Sequence, residues 1–514
     1  MDGSRAIGSV RFLAAISLGL ASELALPTAA LAQMPEQSQT LLIQSAPPTN
    51  LAKPPAAEGR RPFAISLPAA LQLGNANAVD IAAAVERLQV ANAQLRGAQV
   101  LWLPTITLGG DYFRHDGVDE TSGGVIESNS KNALMFGLGS APGVSGAVSI
   151  DDAIFGPLAA RQIVRARAAD QQAATNDTLV SVSEAYFTIQ QARGQLAGAL
   201  DVTKRTEELV RRTARLAESL VPPVEAVRAE AELARREQAE LQARERWEVA
   251  SAELLRIIRV DPTTQIEPLE PPHLRVTIVD LNQSIDQLIP IGLTYRPELA
   301  SRQAQVQATL VLLRQERLRP LIPSVLLRGG STNPGGLAFG VFGGGIDSNT
   351  SNFNTRYDAD VLVYWQLDNL GFGNRARIDQ RRAEQRLATV ELFRLQDRVA
   401  AEINQSYAQA QQAAKRVVAA ERGVKLAVES AEKNLAGLSQ TRRAGDVVLL
   451  VVRPQEAVAS VQALAQAYDD YYTAVADANR AQFRLYRALG KPAQGLISGP
   501  TEPVAQAPAP IKLP

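Results

Sequence analysis

The stretch Leu103-Pro-Thr-Ile-Thr-Leu-Gly-Gly110 closes a helical pattern and opens an alternating one. Ile322-Pro-Ser-Val-Leu-Leu-Arg-Gly-Gly330 makes the same transition. Proline lacks the N–H that a helix or an interior ladder needs, so Pro104 and Pro323 mark places where helical pairing gives way to strand pairing. Upstream, the spacing predicts helices over 79–102 and 297–318. The second opens on Arg296-Pro-Glu-Leu-Ala300, with Pro297 in the first turn, where its missing donor is harmless. Downstream, Ile106, Leu108, Gly110 and Tyr112 alternate with polar or small residues, and so do Val325 and Leu327.

A polar loop is expected over 116–131, followed by a strand carrying Leu134, Phe136 and Leu138 on one face. In the second half a Gly/Asn/Ser loop spans 331–354, and Tyr357, Ala359, Val361, Val363, Trp365 and Leu367 then line one face of a strand. Its length, about ten residues, suits a tilted membrane-crossing strand. With Tyr357 and Val361 toward lipid, Asp358 and Asp360 face a lumen.

Each half then returns to helix, over 155–218 and 374–443. At 1.5 Å per residue these are rods of roughly 90–105 Å that must pack sideways. Ala457, Val461, Leu464, Tyr468, Tyr471, Val475 and Ala478 recur in alternating steps of four and three, as do Val424, Val428, Ala431, Leu435 and Leu438. That period is the coiled-coil signature. The first half keeps the rhythm with smaller residues, Leu196 to Ala217, which implies close helix approach. Turns at Leu220-Val-Pro-Pro-Val224 and Arg442-Arg-Ala-Gly-Asp-Val447 send the chain back through helices over 224–259 and 454–489. Landmarks in the two halves keep a nearly constant offset, so the chain is an internal duplication.

The 514 residues carry 53 basic and 53 acidic side chains, and zero net charge offers no field for nucleic acid. Cysteine is absent, which excludes disulfides, thiolate metal sites, a cysteine nucleophile and a lipidated cysteine. Arg5 and Arg11, an apolar run from Phe12 to Ala21 and Ala30-Leu-Ala32 read as an export signal over 1–32. Residues 33–62 read as a flexible Pro-rich leader and 493–514 as a disordered Pro/Ala-rich tail. Between them lie a first repeat (63–262), a connector (263–294) with a short helix near 285–293, and a second repeat (295–492). His115 and His273 are far apart, and Gly343-Gly-Gly345 lacks the Lys-Ser/Thr of a phosphate loop. No catalytic, metal or cofactor constellation stands out, so the chain reads as a non-enzyme and energy for transport must come from a partner.

Four strands per chain cannot close a barrel, since membrane barrels begin at about eight. Copies of the chain must supply the rest, and three copies give twelve. In the order of its motifs the sequence resembles the TolC-type outer-membrane efflux proteins. The features are the exported start, the two helix-to-strand prolines, RPELA, LVPPVEAVRAEAELA at the first turn, RRAGD at the second and Leu489-Gly490 near the end. The resemblance implies a mainly α fold with β: long antiparallel coiled-coil hairpins forming an α-barrel, plus four strands per chain in a trimeric twelve-stranded outer-membrane β-barrel. It implies an exit duct of a tripartite efflux or type I secretion system, set in outer-membrane lipid with its tunnel in the periplasm. A periplasmic adaptor (membrane fusion) protein and an inner-membrane pump are the implied partners. The alternative is a periplasmic coiled-coil adaptor or structural protein, which would need only one helical hairpin set.

By the same resemblance the helix turns are the gate and adaptor dock. Val221, Pro222, Pro223 and Val224 form an apolar tip; Glu225 lies where an acidic aperture residue is expected. Arg228 and Arg453 fall at matching positions of the two halves and are candidate gate partners. Gly445 and Asp446 form the second turn, Asp446 with the character of a helix cap. Val451 and Pro454 stand where many relatives carry aspartates, so Leu449 and Val451 suit either a hydrophobic constriction or a buried hairpin contact. Trp102, Tyr112, Tyr364 and Trp365 are candidate membrane-interface aromatics.

Overall fold

The computed structural model describes residues 42–44, 52, 61–105, 110–120, 123–136, 144–218, 220–329, 340–342, 354–356, 360–444 and 447–491. In the first half the elements are β1 (Leu42–Gln44), β2 (Arg61–Ile65), α1 (Leu67–Asn77), α2 (Val79–Gln99), β3 (Gly110–Glu120), β4 (Ile126–Phe136), β5 (Val144–Ser149), α3 (Ile150–Ala217) and α4 (Val224–Ile258). The connector holds β6 (Thr264–Pro268), β7 (Arg275–Thr277) and α5 (Ile285–Tyr295). The second half has α6 (Pro297–Leu318), β8 (Ser324–Gly329), β9 (Gly340–Phe342), β10 (Asn354–Arg356), β11 (Asp360–Tyr364), α7 (Phe372–Gly437), β12 (Thr441–Ala444), β13 (Val447–Leu450) and α8 (Pro454–Ala488). The mainly α architecture with few strands is the one the sequence leads to.

The part of the chain from Leu41 onward is built as four parallel lanes. α3 and α7, of 68 and 66 residues, are each about 100 Å long at 1.5 Å per residue and run the length of two lanes. The other two lanes are each made of two shorter helices. α2 and α4 share one flank of α3; α6 and α8 lie between α3 and α7. At the joint between α4 and α2, Asn77 Nδ2 donates to the Ile258 carbonyl at 3.2 Å, capping the end of α4. At the joint between α8 and α6, Gly490 (φ 71°) turns back onto Arg296, where a β-carbon would stand 2.6 Å from the backbone nitrogen. Only glycine fits there. The RPELA and Leu-Gly motifs are therefore one contact.

A belt crosses the joints. β2 pairs in parallel with β6, and β1 pairs antiparallel with β7. Asn479 and Gln482 of α8 complete the free edge of the connector: the Val276 N–H donates to Asn479 Oδ1 at 2.9 Å and the Val279 N–H to Gln482 Oε1 at 3.0 Å. Trp247, Phe187, Phe483 and Leu254 are buried at this level in the larger of the two apolar cores. The strand region repeats the lane order. Two sheets, β10-β9-β4-β3 and β11-β8-β5, are antiparallel throughout, so the four excursions lie side by side in sequence order.

Several expectations need correction. Leu42–Gln44 and Arg61–Pro62 fall in the stretch read as a leader, yet both are strands, because the distant connector offers them unpaired edges. The loop expected over 116–131 is mostly hairpin: Glu120 pairs with Ile126, and ladder bonds hold polar residues extended without any apolar face. α7 stops at Gly437, short of 443. A β-carbon there would meet Val452 Cγ2 at 2.4 Å, so the return strand approaches where the helix ends. Thr441–Ala444 then pairs with Val447–Leu450 as the strands β12 and β13, in place of the expected helical turn. The signal segment, the tail, Gly445 and Asp446 lie outside the described residues.

Candidate functional site

The two halves meet where α3 packs on α6 and α8, and hydrogen bonds cross the α3–α8 seam beside its apolar core. Gln191 and Gln195 both donate to Thr473 Oγ1, at 3.0 and 3.3 Å. Arg480 reaches Thr188 and Gln191. Small residues bring the helices together: α3 presents Gly198 to the ring of Tyr468 and Gly194 to that of Tyr472. The Tyr468 hydroxyl donates to Asp201 Oδ2 at 3.0 Å. Burial, and then the Asp201 charge, push that hydroxyl far above its ordinary range, so it stays a donor.

Toward the tips, arginines of α3 clasp α7. Arg205 bonds Asp201 at 2.8 Å and Glu432 at 3.3 Å. Burial opposes its charge, but the two carboxylates outweigh that and raise its pKa. Arg212 Nη1 donates to the Leu435 carbonyl at 2.6 Å and to Ser439 Oγ at 3.1 Å, while Glu208 holds its other nitrogens. A carbonyl in the last turn of α7, which no helical N–H reaches, is thus bound by the other half of the molecule.

At the belt, Arg487 contacts Asp177, Glu298 and Glu402, and Arg296, 3% exposed, contacts Glu298 and Glu402. Burial disfavours the Glu402 charge, but hydrogen bonds and charges from Arg296 and Arg487 win and hold its carboxyl below the usual range. At the opposite end, the helix-to-strand junctions expose Trp102, Tyr364 and Trp365, and Trp365 Nε1 donates to the Leu321 carbonyl at 3.3 Å. Pro323 directly precedes β8, and Pro104 packs beside Gly146 of β5.

No protein-family model matches the chain, and no curated protein does. Solved structures do. The chain is similar to the Campylobacter jejuni CmeC outer membrane channel, with a TM-score of 0.63 and 15% identity over 82% of this chain and 85% of that one. It is similar to the Vibrio cholerae outer membrane protein VceC (TM-score 0.64, 14% identity, covering 82% and 96%). It is similar also to the open state of the Neisseria gonorrhoeae MtrE outer membrane channel (TM-score 0.62, 17% identity, covering 86% and 97%). The fold is that of the outer-membrane channels.

Within this channel fold the expected tip residues divide. Val221 closes the first turn through its N–H to the Leu216 carbonyl at 3.0 Å, and Pro222, Pro223 and Val224 are exposed. Glu225 is only 14% exposed and accepts from Arg228 of its own helix at 2.6 Å. Arg228 and Arg453 are not equivalent: α4 begins at Val224, before Arg228, whereas α8 begins at Pro454, after Arg453. Arg453 caps α8 through its N–H to Glu456 at 3.3 Å. Leu449 pairs with Arg442 in the second hairpin, and Val451 is exposed beyond it. The side chains of Leu449 and Tyr112 are outside the described residues. The clasp arginines, Arg205 and Arg212, escaped the sequence reading. Each sits in a helix rich in arginine, and nothing local distinguishes them.

Proposed function

We propose that the chain is the outer-membrane exit duct of a tripartite efflux or type I secretion system, a homotrimer that conducts substrates passively from a periplasm-spanning assembly to the exterior. The observation that carries this reading is a pair of open edges. In the helices, among the described residues, no extensive packing between α2 or α4 on one side and α7 on the other closes the row. In the strands, β3 ends one side and β10 and β11 the other, so each edge continues the same lane. Exposed apolar residues lie on the edge helices: Val90 on α2, Leu241 and Val249 on α4, Leu387, Val390, Phe393, Val418 and Leu426 on α7. Two different edges that complement each other make a heterologous contact, and such contacts close into a ring when the rotation between copies closes. Closing the strands of three copies leaves no exposed ladder edge.

The tips, with the clasp behind them, are the gate and the surface that an adaptor engages, and the pump it recruits supplies the energy. The test is purification in mild detergent followed by mass measurement and planar-bilayer recording. A trimer with stable single-channel conductance is expected. A soluble periplasmic monomer, or a trimer that never conducts, overturns the reading.

A further inference from the structure

Between β11 and α7 the chain makes a turn with unusual backbone. Asn369 (φ 52°, ψ 49°) and Leu370 (φ 57°, ψ 29°) are consecutive left-handed residues without being glycine, and Gly371 follows at φ 91°. A branched leucine in that region is strained and persists only where its surroundings enforce it. They do. The Asp368 N–H donates to Oδ1 of the buried Asn374 at 2.8 Å, Gln366 Nε2 donates to Asp368 Oδ1 at 2.7 Å, and Arg377 pairs with Asp368. Gly373 lets the turn lie within contact of the helix start: a β-carbon there would stand 2.9 Å from Asp368 Cβ. All this fixation holds Leu370 outward, 92% exposed, beside Phe372 at 74%. A rigid apolar tip aimed at solvent has no folding purpose.

The tip also belongs to a line. Each of the four junctions between helix and strand exposes apolar side chains: Trp102 and Leu103 after α2, Ile154 at the start of α3, Leu321 after α6, and Leu370 with Phe372 before α7. A second copy docked on an edge lane reaches the first and last of these. Leu321, 72% exposed, lies on an inner lane. A single sheet-like apolar phase would cover all four. Immediately beyond the tip, Arg377 pairs with Asp368, Arg381 with Glu384 and Arg382 with Asp379, and the exposed Arg375 is the arginine nearest the tip. Arg375 is three residues, about 4.5 Å of helical rise, from Phe372, the depth at which guanidinium groups meet phosphate when the neighbouring apolar groups are immersed.

We infer that the Asp368–Phe372 turn is a preformed lipid wedge: Leu370 and Phe372 enter the acyl region of the periplasmic leaflet, and Arg375 sits among its phosphates. The inference rests on the outer-membrane reading, and the experiment separates the two. Because the chain has no cysteine, Leu370→Cys carries one nitrobenzoxadiazole label on the full-length protein. Val361→Cys on the exposed face of β11 and Arg442→Cys at the second tip are labelled likewise. Each is reconstituted in phosphatidylethanolamine–phosphatidylglycerol vesicles doped with acyl-chain nitroxide lipid. Severalfold stronger quenching at 361 and 370 than at 442 is expected. Quenching at 361 with 370 no better than 442 refutes the wedge and leaves the channel reading standing. Quenching at neither position removes the channel reading and the wedge together. A blue-shifted but unquenched label at 370 means that protein covers the turn, which also overturns the wedge. Leu370→Gly relieves the backbone strain and is expected to melt no lower than the parent. A marked loss of stability would assign Leu370 a folding role and overturn the proposal.

Discussion

Gly198 of α3 lies against the ring of Tyr468 of α8: a β-carbon at 198 would stand 2.7 Å from Tyr468 Cγ. Both residues are interior to long helices, so propensity alone would favour alanine at 198 by about 1 kcal/mol. The contact reverses the sign. Gly198→Ala is expected to destabilise the protein by about 1–3 kcal/mol through overpacking. Gly423→Ala is the control. Nothing lies within 4 Å of its added carbon, so it should stabilise by up to about 1 kcal/mol. Thermal unfolding of the two variants in the same detergent checks the opposite signs.

Arg212→Ala leaves the Leu435 carbonyl without its cross-half donor. The expected cost is about 1–3 kcal/mol, confined to the end of α7 and the β12–β13 hairpin. Limited proteolysis between 439 and 453 should accelerate, and bilayer conductance should rise if the clasp restrains the gate. Glu432→Gln, which removes only the partly exposed partner of Arg205, should change stability by about 0.5 kcal/mol or less. Equal effects from the two substitutions would remove the special role given to Arg212.

The belt predicts an acid limb. Glu402 has a folded pKa below its unfolded value of about 4.3. Its contribution is therefore complete above that pH and is lost as pH falls through the lower folded value. Melting temperature measured from pH 6 to pH 3 should drop across this window. Glu402→Gln should start lower and show a shallower drop. An unchanged slope would place the acid sensitivity elsewhere.

The two open edges predict a complementation test. Leu241→Arg spoils the α4 edge and Val418→Arg the α7 edge, and each variant alone should stay monomeric by light scattering. Mixed, the intact α7 edge of the first meets the intact α4 edge of the second. The product should be a heterodimer that grows no further. A mixture that stays monomeric would show that these faces are not the contact.

Much of this fold is written locally. α6 runs from Pro297 to Leu318 because one proline suits its first turn and another, Pro320, follows its end. Ala457, Val461, Leu464, Tyr468 and Tyr471 are all buried, as their rhythm requires. What the sequence hid depends on distant partners. α1 contains Pro68, Gly74 and two asparagines and carries no helical rhythm that the sequence reading used, but Leu67 and Leu71 are buried in the belt core and Gly74 abuts Val182 of α3. β1 has three residues and finds its partner at Arg275–Thr277. The β12–β13 hairpin did carry a signal, since Gly445-Asp446 separates two short runs and the second, Val447–Leu450, is apolar. It was masked by the expectation of a helical turn. The clasp depended on which arginines face α7, and spacing cannot reveal that.

The end-to-end joints at Asn77–Ile258 and Arg296–Gly490 have a mechanical consequence. Among the described residues, only α3 and α7 cross the belt as unbroken helices; the companion lanes are spliced there. A load applied at the tips therefore has two continuous helical paths to the strands, and in the companion lanes it passes through the Asn77–Ile258 hydrogen bond and the Arg296–Gly490 contact.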